Sequence, residues 1–176
     1  MKVLKFGGTS VGSIENITNV KNIINDGTKK IVVLSAMSGT TNRLVAISND
    51  ISEGVSDKAI EKIKALHETY FVTIDSLISN PDLNSNVKDY VSNVFNFLIE
   101  CAYQSFSKVL ENNIVAQGEL LSTYMVNAYL NQEGIRSALL PALSFMRIDS
   151  ANEPNMDYIK THFDSVFKAT SEADIY

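Results

Sequence analysis

The chain has 176 residues, of which 45% are hydrophobic and 20% charged, a balance that suits one globular domain with a sizeable core and excludes intrinsic disorder. Its formal net charge of −5 and pI near 5.0 give no general attraction to nucleic acid or to an anionic membrane surface, so any phosphate recognition must be local. A single cysteine, Cys101, cannot form an internal disulfide; with only His67 and His162 no zinc cluster is expected, and no run of about eighteen apolar residues marks a membrane span.

The opening stretch, MKVLKFGGTSVGS, changes character halfway. Val3, Leu4 and Phe6 read as a short buried strand, and Gly7, Gly8, Thr9, Ser10 and Gly12 follow before any helical periodicity begins. Ser13 is a candidate N-cap for a helix carrying Ile14, Ile17, Val20, Ile23 and Ile24, with Asp26-Gly27 as its stop. Strand, glycine loop and helix start bring backbone N–H groups and the positive end of a helix dipole together, and glycines admit a ligand to the main chain. The stretch reads as an anion site, with Lys5 at the strand's end able to reach a phosphate held over the glycines.

Lys30 to Leu34 is an apolar run without polar alternation, which suits a strand covered on both faces of a parallel sheet and completes a right-handed βαβ unit. It too ends in a loop of small residues, SAMSGTTN, from Ser35 to Asn42. Two parallel strands thus finish at one sheet edge, the edge where open α/β sheets bind ligands.

A helix is predicted from Arg43 to about Ile51, with Glu53-Gly54 breaking it, and a long amphipathic helix carries Ile60 to Ile78, ended by Asn80-Pro81. A further helix is predicted over Val87–Glu111, antiparallel to the one before, and the aromatic stripes of both, with Tyr70 and Phe71 in the first and Tyr90 and Phe97 in the second, read as core. Cys101 reads as a packing thiol, and His67 and His162 as structural or surface residues. Another helix is expected to start at Gly118-Glu119 and run to Gln132, followed by a third strand over Ile135–Leu140 and a short extended piece around Phe145 to Ile148 that carries Arg147, with Asp149 close behind. Asn152 is expected to cap the last helix, with Met156, Ile159, Phe163, Val166 and Phe167 as its buried face. Ala173 to Tyr176 reads as the opening of another strand, so the chain is expected to be part of a larger protein.

Four polar features stand where loops gather: Lys5 with Gly7 to Ser10, Ser35 with Ser38 to Asn42, Glu119, and Arg147 with Asp149. Singly each is weak. A serine loop after a strand is often only a turn, and a carboxylate in a first helical turn is explained as well by the macrodipole. Their order is more specific. VLKFGGTSVGS, IVVLSAMSGTTN, GELLST and FMRID closely resemble, in sequence and spacing, the successive motifs of aspartate kinases in the amino acid kinase family.

The resemblance implies an α/β three-layer sandwich with a mostly parallel central sheet, of which residues 1–176 would be the N-terminal, amino-acid-binding part of the catalytic domain. It implies ATP and Mg2+ as cofactors, L-aspartate as acceptor, a homo-oligomer in the full-length protein and a cytoplasmic location. Lys5 would bridge the transferring γ-phosphoryl group as the catalytic residue, and Gly7, Gly8, Thr9 and Ser10 would lie beside the phosphates. Ser35 and Thr41 would face the amino acid, and Glu119 would accept hydrogen bonds from its α-ammonium. The family's later GRGGSD-like motif, its ATP-binding half and its ACT regulatory domains have no counterpart here, so little activity is expected of this chain alone. Two alternatives stay open: a kinase of another acceptor such as glutamate or acetylglutamate, and a non-catalytic module that binds an amino acid or phosphate.

Overall fold

The computed structural model describes residues 1–170 and 172–176. Two strands, β1 (Lys2–Phe6) and β2 (Lys30–Leu34), run parallel in a register that pairs Lys2 with Lys30 and Phe6 with Leu34. The connecting helix, α1 (Ile14–Ile24), is capped by Ser13, whose hydroxyl accepts from the Asn16 N–H. The expected βαβ unit is therefore present, with a 3₁₀ turn over Gly8–Val11 between strand and cap.

The parallel ladder extends past β2. Ile175 bridges both Lys30 and Ser137 in parallel, the Lys30 N–H donates to the Asp174 carbonyl, and the Ala138 N–H donates to the Ile175 carbonyl. The C-terminal residues are thus inserted between β2 and the segment around Ser137, as a strand opening there requires. The third strand expected over Ile135–Leu140 contracts to that single bridge.

Below one face lies a helical layer: α1, α2 (Thr40–Ser52), α3 (Ser56–Leu77), α4 (Pro81–Cys101) and α5 (Lys108–Gln132). Helix α3 packs against α2 and α4, and α5 against the same two. Leu4, Phe6, Val32 and Leu34 point into this layer, where Ile17, Leu44, Ile63, Leu66, Phe95, Leu98 and Leu121 make a continuous core. Cys101 is buried there, and burial pushes its thiol pKa up, as a packing cysteine requires. His67 is sandwiched between Phe71 and Phe95, and burial lowers its pKa, which keeps it neutral and structural.

The opposite face is thinly covered. Along the last strand Tyr176 alternates to that side and meets Phe167 of α7 (Met156–Ala169), ring centroids 4.6 Å apart. A short helix, α6 (Ala142–Phe145), leans on α7 through Phe145 and Phe163. Helices therefore stand on both sides of a mostly parallel sheet, the three-layer α/β arrangement. Coverage of both strand faces does not hold: Val3 is 63% and Val33 43% exposed, because α7 reaches only the Tyr176 end of this face.

Several helix boundaries differ from the sequence reading. Helix α2 starts at Thr40, after a left-handed Gly39, so the last three residues of the expected second loop are helical. The helix predicted over Val87–Glu111 is two helices, broken between Cys101 and Lys108, with Ser107 accepting from the Leu110 N–H as a new N-cap. Gly118 starts nothing; it lies inside α5. Asn155, not Asn152, caps α7, while Asn152 takes a φ of 62° in the preceding turn. Met156, expected to be buried, is 66% exposed on the first turn of α7.

Candidate functional site

The site is built where β1 and β2 end. The Ser35 N–H donates to the Phe6 carbonyl over 3.1 Å, so the two strands release their loops side by side. The loops then pack on each other. A Cβ on Gly8 would stand 2.9 Å from the Ala36 carbonyl oxygen, and one on Gly12 would stand 2.7 Å from Ser38 Cβ. These two glycines are needed for loop to meet loop. Gly7 differs: its φ of −78° suits any residue and a Cβ there would meet nothing within 4 Å. Neither the backbone angle nor the packing of this chain demands a glycine at that position.

The third wall is α5. A Cβ on Gly118 would come within 2.8 Å of Ala36 Cβ and 3.3 Å of Thr40 Cγ2, so this glycine lets α5 lie directly on the second loop. The next residue, Glu119, accepts from the Ala36 N–H at 3.3 Å, and one turn on Ser122 donates to the Ser35 carbonyl at 2.8 Å. Glu119 remains exposed, and it stands about three turns inside α5, well beyond the first-turn reach of the helix dipole. The macrodipole therefore does not explain this carboxylate; its place against the Ala36 loop does.

Behind the loop, the Thr40 hydroxyl lies 3.2 Å from the Tyr70 hydroxyl of α3. Both residues are buried. Burial pushes the Tyr70 phenol up to about 12; the Thr40 hydrogen bond opposes this, the Glu119 carboxylate adds to it and the Arg43 guanidinium counters it. The phenol is thus protonated at neutral pH and sits in the field of Glu119.

Lys5 is exposed next to the end of β1, paired in register with Val33, and its ammonium has no ion-pair or hydrogen-bond partner among the described residues. Gly7, Gly8, Thr9 and Ser10 occupy the 3₁₀ turn and its cap, Ser35 leaves β2, and Thr41 is exposed in the first turn of α2. Of these, Gly8, which packs on Ala36, and Ser35, which precedes it, belong to the cluster of loops around Ala36, whereas Lys5, between the inward-pointing Leu4 and Phe6, projects from the open face of the sheet. Arg147 and Asp149 lie outside that cluster: Arg147 stacks over Tyr158 at 4.2 Å, and Asp149 accepts from the N–H groups of Ala151 and Glu153 to shape the turn before α7. Among the described residues no three His, Cys, Asp or Glu side chains stand together to hold a metal, and no helix is long and apolar enough to cross a membrane.

The amino acid kinase family profile matches residues 1–169. The chain belongs to the amino acid kinase family. Among curated members, the lysine-sensitive aspartokinase 3 of Escherichia coli is 29% identical over 82% of this chain and 32% of its own length. Aspartokinase 1, chloroplastic, of Arabidopsis thaliana is 30% identical over 94% of this chain and 30% of its own length. The chain spans about a third of the curated relatives it matches. The crystal structure of E. coli aspartokinase III in complex with aspartate and ADP superposes with a TM-score of 0.82 at 24% identity, covering 99% of this chain and 39% of that one. That similarity establishes the amino acid kinase fold.

Four members of the site were missed in the sequence. Ala36 and Thr40 were hidden inside a loop read as a whole, and Ser122 inside the GELLST motif read for its glutamate. Tyr70 was absorbed into an aromatic core stripe. The signal was its hydroxyl, since a tyrosine on a buried stripe needs a polar partner that phenylalanine does not.

Proposed function

We propose that the protein containing this chain is an aspartate kinase, transferring the γ-phosphoryl group of MgATP to the β-carboxylate of L-aspartate. This is the entry step of lysine, threonine and methionine synthesis. The observation that supports the reading is that the glycine turn and the Glu119 carboxylate both contact the Ala36 loop, at the sheet edge where β1, the strand carrying Lys5, ends. The aspartokinase names of the relatives support the acceptor. The chain would be the amino-acid-binding part of a catalytic domain whose nucleotide half and regulatory domains lie in further sequence, in a cytoplasmic homo-oligomer.

In the transfer, an oxygen of the β-carboxylate forms a bond to the γ-phosphorus, the bond from that phosphorus to the β–γ bridging oxygen breaks, and ADP leaves with the electron pair. Such a reaction asks for positioning and charge neutralisation more than for covalent help. Lys5 offsets charge as it passes from nucleotide to acceptor. The backbone and hydroxyls of Gly7, Gly8, Thr9 and Ser10 contact the phosphates. Ser35 and Thr41 bind the amino acid, and Glu119 takes its α-ammonium. Among the described residues no carboxylate cluster stands ready for a metal, and no step is drawn through a protein-held ion.

The test is a coupled assay of ADP release, run with a panel of amino acids on this chain alone and on the full-length product of its reading frame. Aspartate-dependent turnover by the full-length product, with little by the chain alone, is the expected pattern. Turnover on glutamate or acetylglutamate instead would reassign the acceptor. Ligand binding without turnover in the full-length product would make it a binding module.

A further inference from the structure

Thr40 is clamped from two sides. Its hydroxyl meets Tyr70 of α3 at 3.2 Å, and its methyl group lies against the Gly118 backbone of α5. Its chain neighbour is Thr41, while the chain neighbour of Gly118 is Glu119. The clamp therefore spans the two residues proposed to hold the amino acid from opposite walls. Ala36 closes the ring: its Cβ packs on Gly118 and its N–H reaches Glu119.

We infer that Tyr70 is a positioning residue of the acceptor site: by holding Thr40 it sets the first turn of α2, and Thr41 with it, at a fixed separation from Glu119, and so governs affinity for the amino acid. The inference rests on the aspartate kinase reading above. Tyr70 reaches no substrate, being 1% exposed behind Thr40. Its hydroxyl has no other hydrogen-bond partner among the described residues, so the buried pair stands or falls together. Its ring is fixed independently of that bond, packed against Phe95 with centroids 5.9 Å apart. Removal of the hydroxyl therefore leaves the ring in place and frees Thr40. Arg43, one turn along α2, hydrogen-bonds Thr69, the residue before Tyr70, so the α2–α3 seam stays closed while its polar end loosens.

The experiment compares Tyr70→Phe, Thr40→Val and the double variant in the full-length product of the reading frame, by steady-state kinetics with the amino acid varied and by thermal melting. Loss of a hydrogen bond worth about 1 kcal/mol predicts about a fivefold rise in KM for each single variant, with kcat little changed. The double variant should be no worse than either single, because both remove one interaction. Thr40→Ser, which keeps the hydroxyl, should raise KM less than Thr40→Val. Should Tyr70→Phe fail to fold, Thr40→Val probes the same bond from the other side. Lower melting temperatures with unchanged KM would reduce Tyr70 to a core residue and overturn the inference while the kinase reading stands. A wild type that turns over no amino acid would overturn both.

Discussion

The backbone N–H of Ala36 donates to Oε1 of Glu119 over 3.3 Å, tying the loop after β2 to a helix residue 83 positions further along the chain. One carboxylate oxygen is thereby held by protein while the side chain stays open to solvent, an arrangement that can orient a carboxylate toward an ammonium.

Glu119→Gln isolates the charge from this geometry, because the amide oxygen can still accept from Ala36. A hydrogen bond from an ammonium to a charged acceptor contributes about 1.5–3 kcal/mol, so KM for the amino acid should rise about ten- to a hundredfold with kcat much less affected. Steady-state kinetics on the full-length product decide it. Equal losses in kcat with KM unchanged would move Glu119 from binding to the chemical step.

Lys5→Met tests the other wall. The Lys5 ammonium has no protein partner among the described residues, so its removal should cost little stability. If its ammonium acts mainly on charge developed in the transition state, kcat should fall by about a hundredfold or more while aspartate binding, followed by calorimetry, survives. A kcat within about threefold of wild type corresponds to under about 1 kcal/mol and would remove Lys5 from the mechanism.

The opening βαβ unit was legible because each of its signals is local. The apolar run at Ile31 to Leu34, the Ser13 cap and the two loops at one edge need no knowledge of distant residues. What failed depended on tertiary contacts. Gly118 looked like a helix start, yet it is a clearance for Ala36, and only the packed structure shows why a glycine stands inside α5. The break after Cys101 lacks glycine and proline, and Ser107 was its one available sign. Arg147 and Asp149, grouped with the site by motif order, turn out to organise their own arm.

Gly118→Ala sets helix propensity against packing. In an open helix the change would stabilise by about 1 kcal/mol. Here the new methyl group would stand 2.8 Å from Ala36 Cβ, which is fixed to backbone and cannot swing aside. Overpacking of this kind costs about 1–3 kcal/mol, so the net change should be a lower melting temperature, by roughly 2–4 °C per kcal/mol lost for a chain this long. Ala36→Gly in the same molecule removes the opposing methyl and should recover part of the loss. A Gly118→Ala protein more stable than wild type would show that α5 does not bear on the loop.

The uncovered sheet face predicts association of the 176-residue chain on its own. Val3 and Val33 lie 63% and 43% exposed on one face of β1 and β2, beyond the reach of α7. Light scattering over a concentration series should give masses above that of a monomer, and Val33→Thr should shift them down. A monomer at every concentration would refute this.

Asp26 is one source of stability that acid removes. Its carboxylate accepts from the buried Lys30 ammonium, and from the hydroxyl and N–H of Thr28 at 2.7 and 2.9 Å. These contacts, Lys30 foremost, hold its pKa well below the usual carboxylate value. A carboxyl depressed by folding contributes stability that is complete above its unfolded pKa of about 4 and drains away as pH falls toward the folded value. Asp26→Asn should therefore be less stable than wild type near neutral pH, and the gap should narrow steadily at pH values below about 4. Glu133 and Asp75 are lowered likewise by Lys21 and Lys88, so wild type loses stability through all three, and only the difference between variant and wild type isolates Asp26. Denaturant melts at about pH 7 and about pH 3 measure that difference; a gap that stays constant between them would mean that Asp26 titrates alike in the folded and unfolded chain.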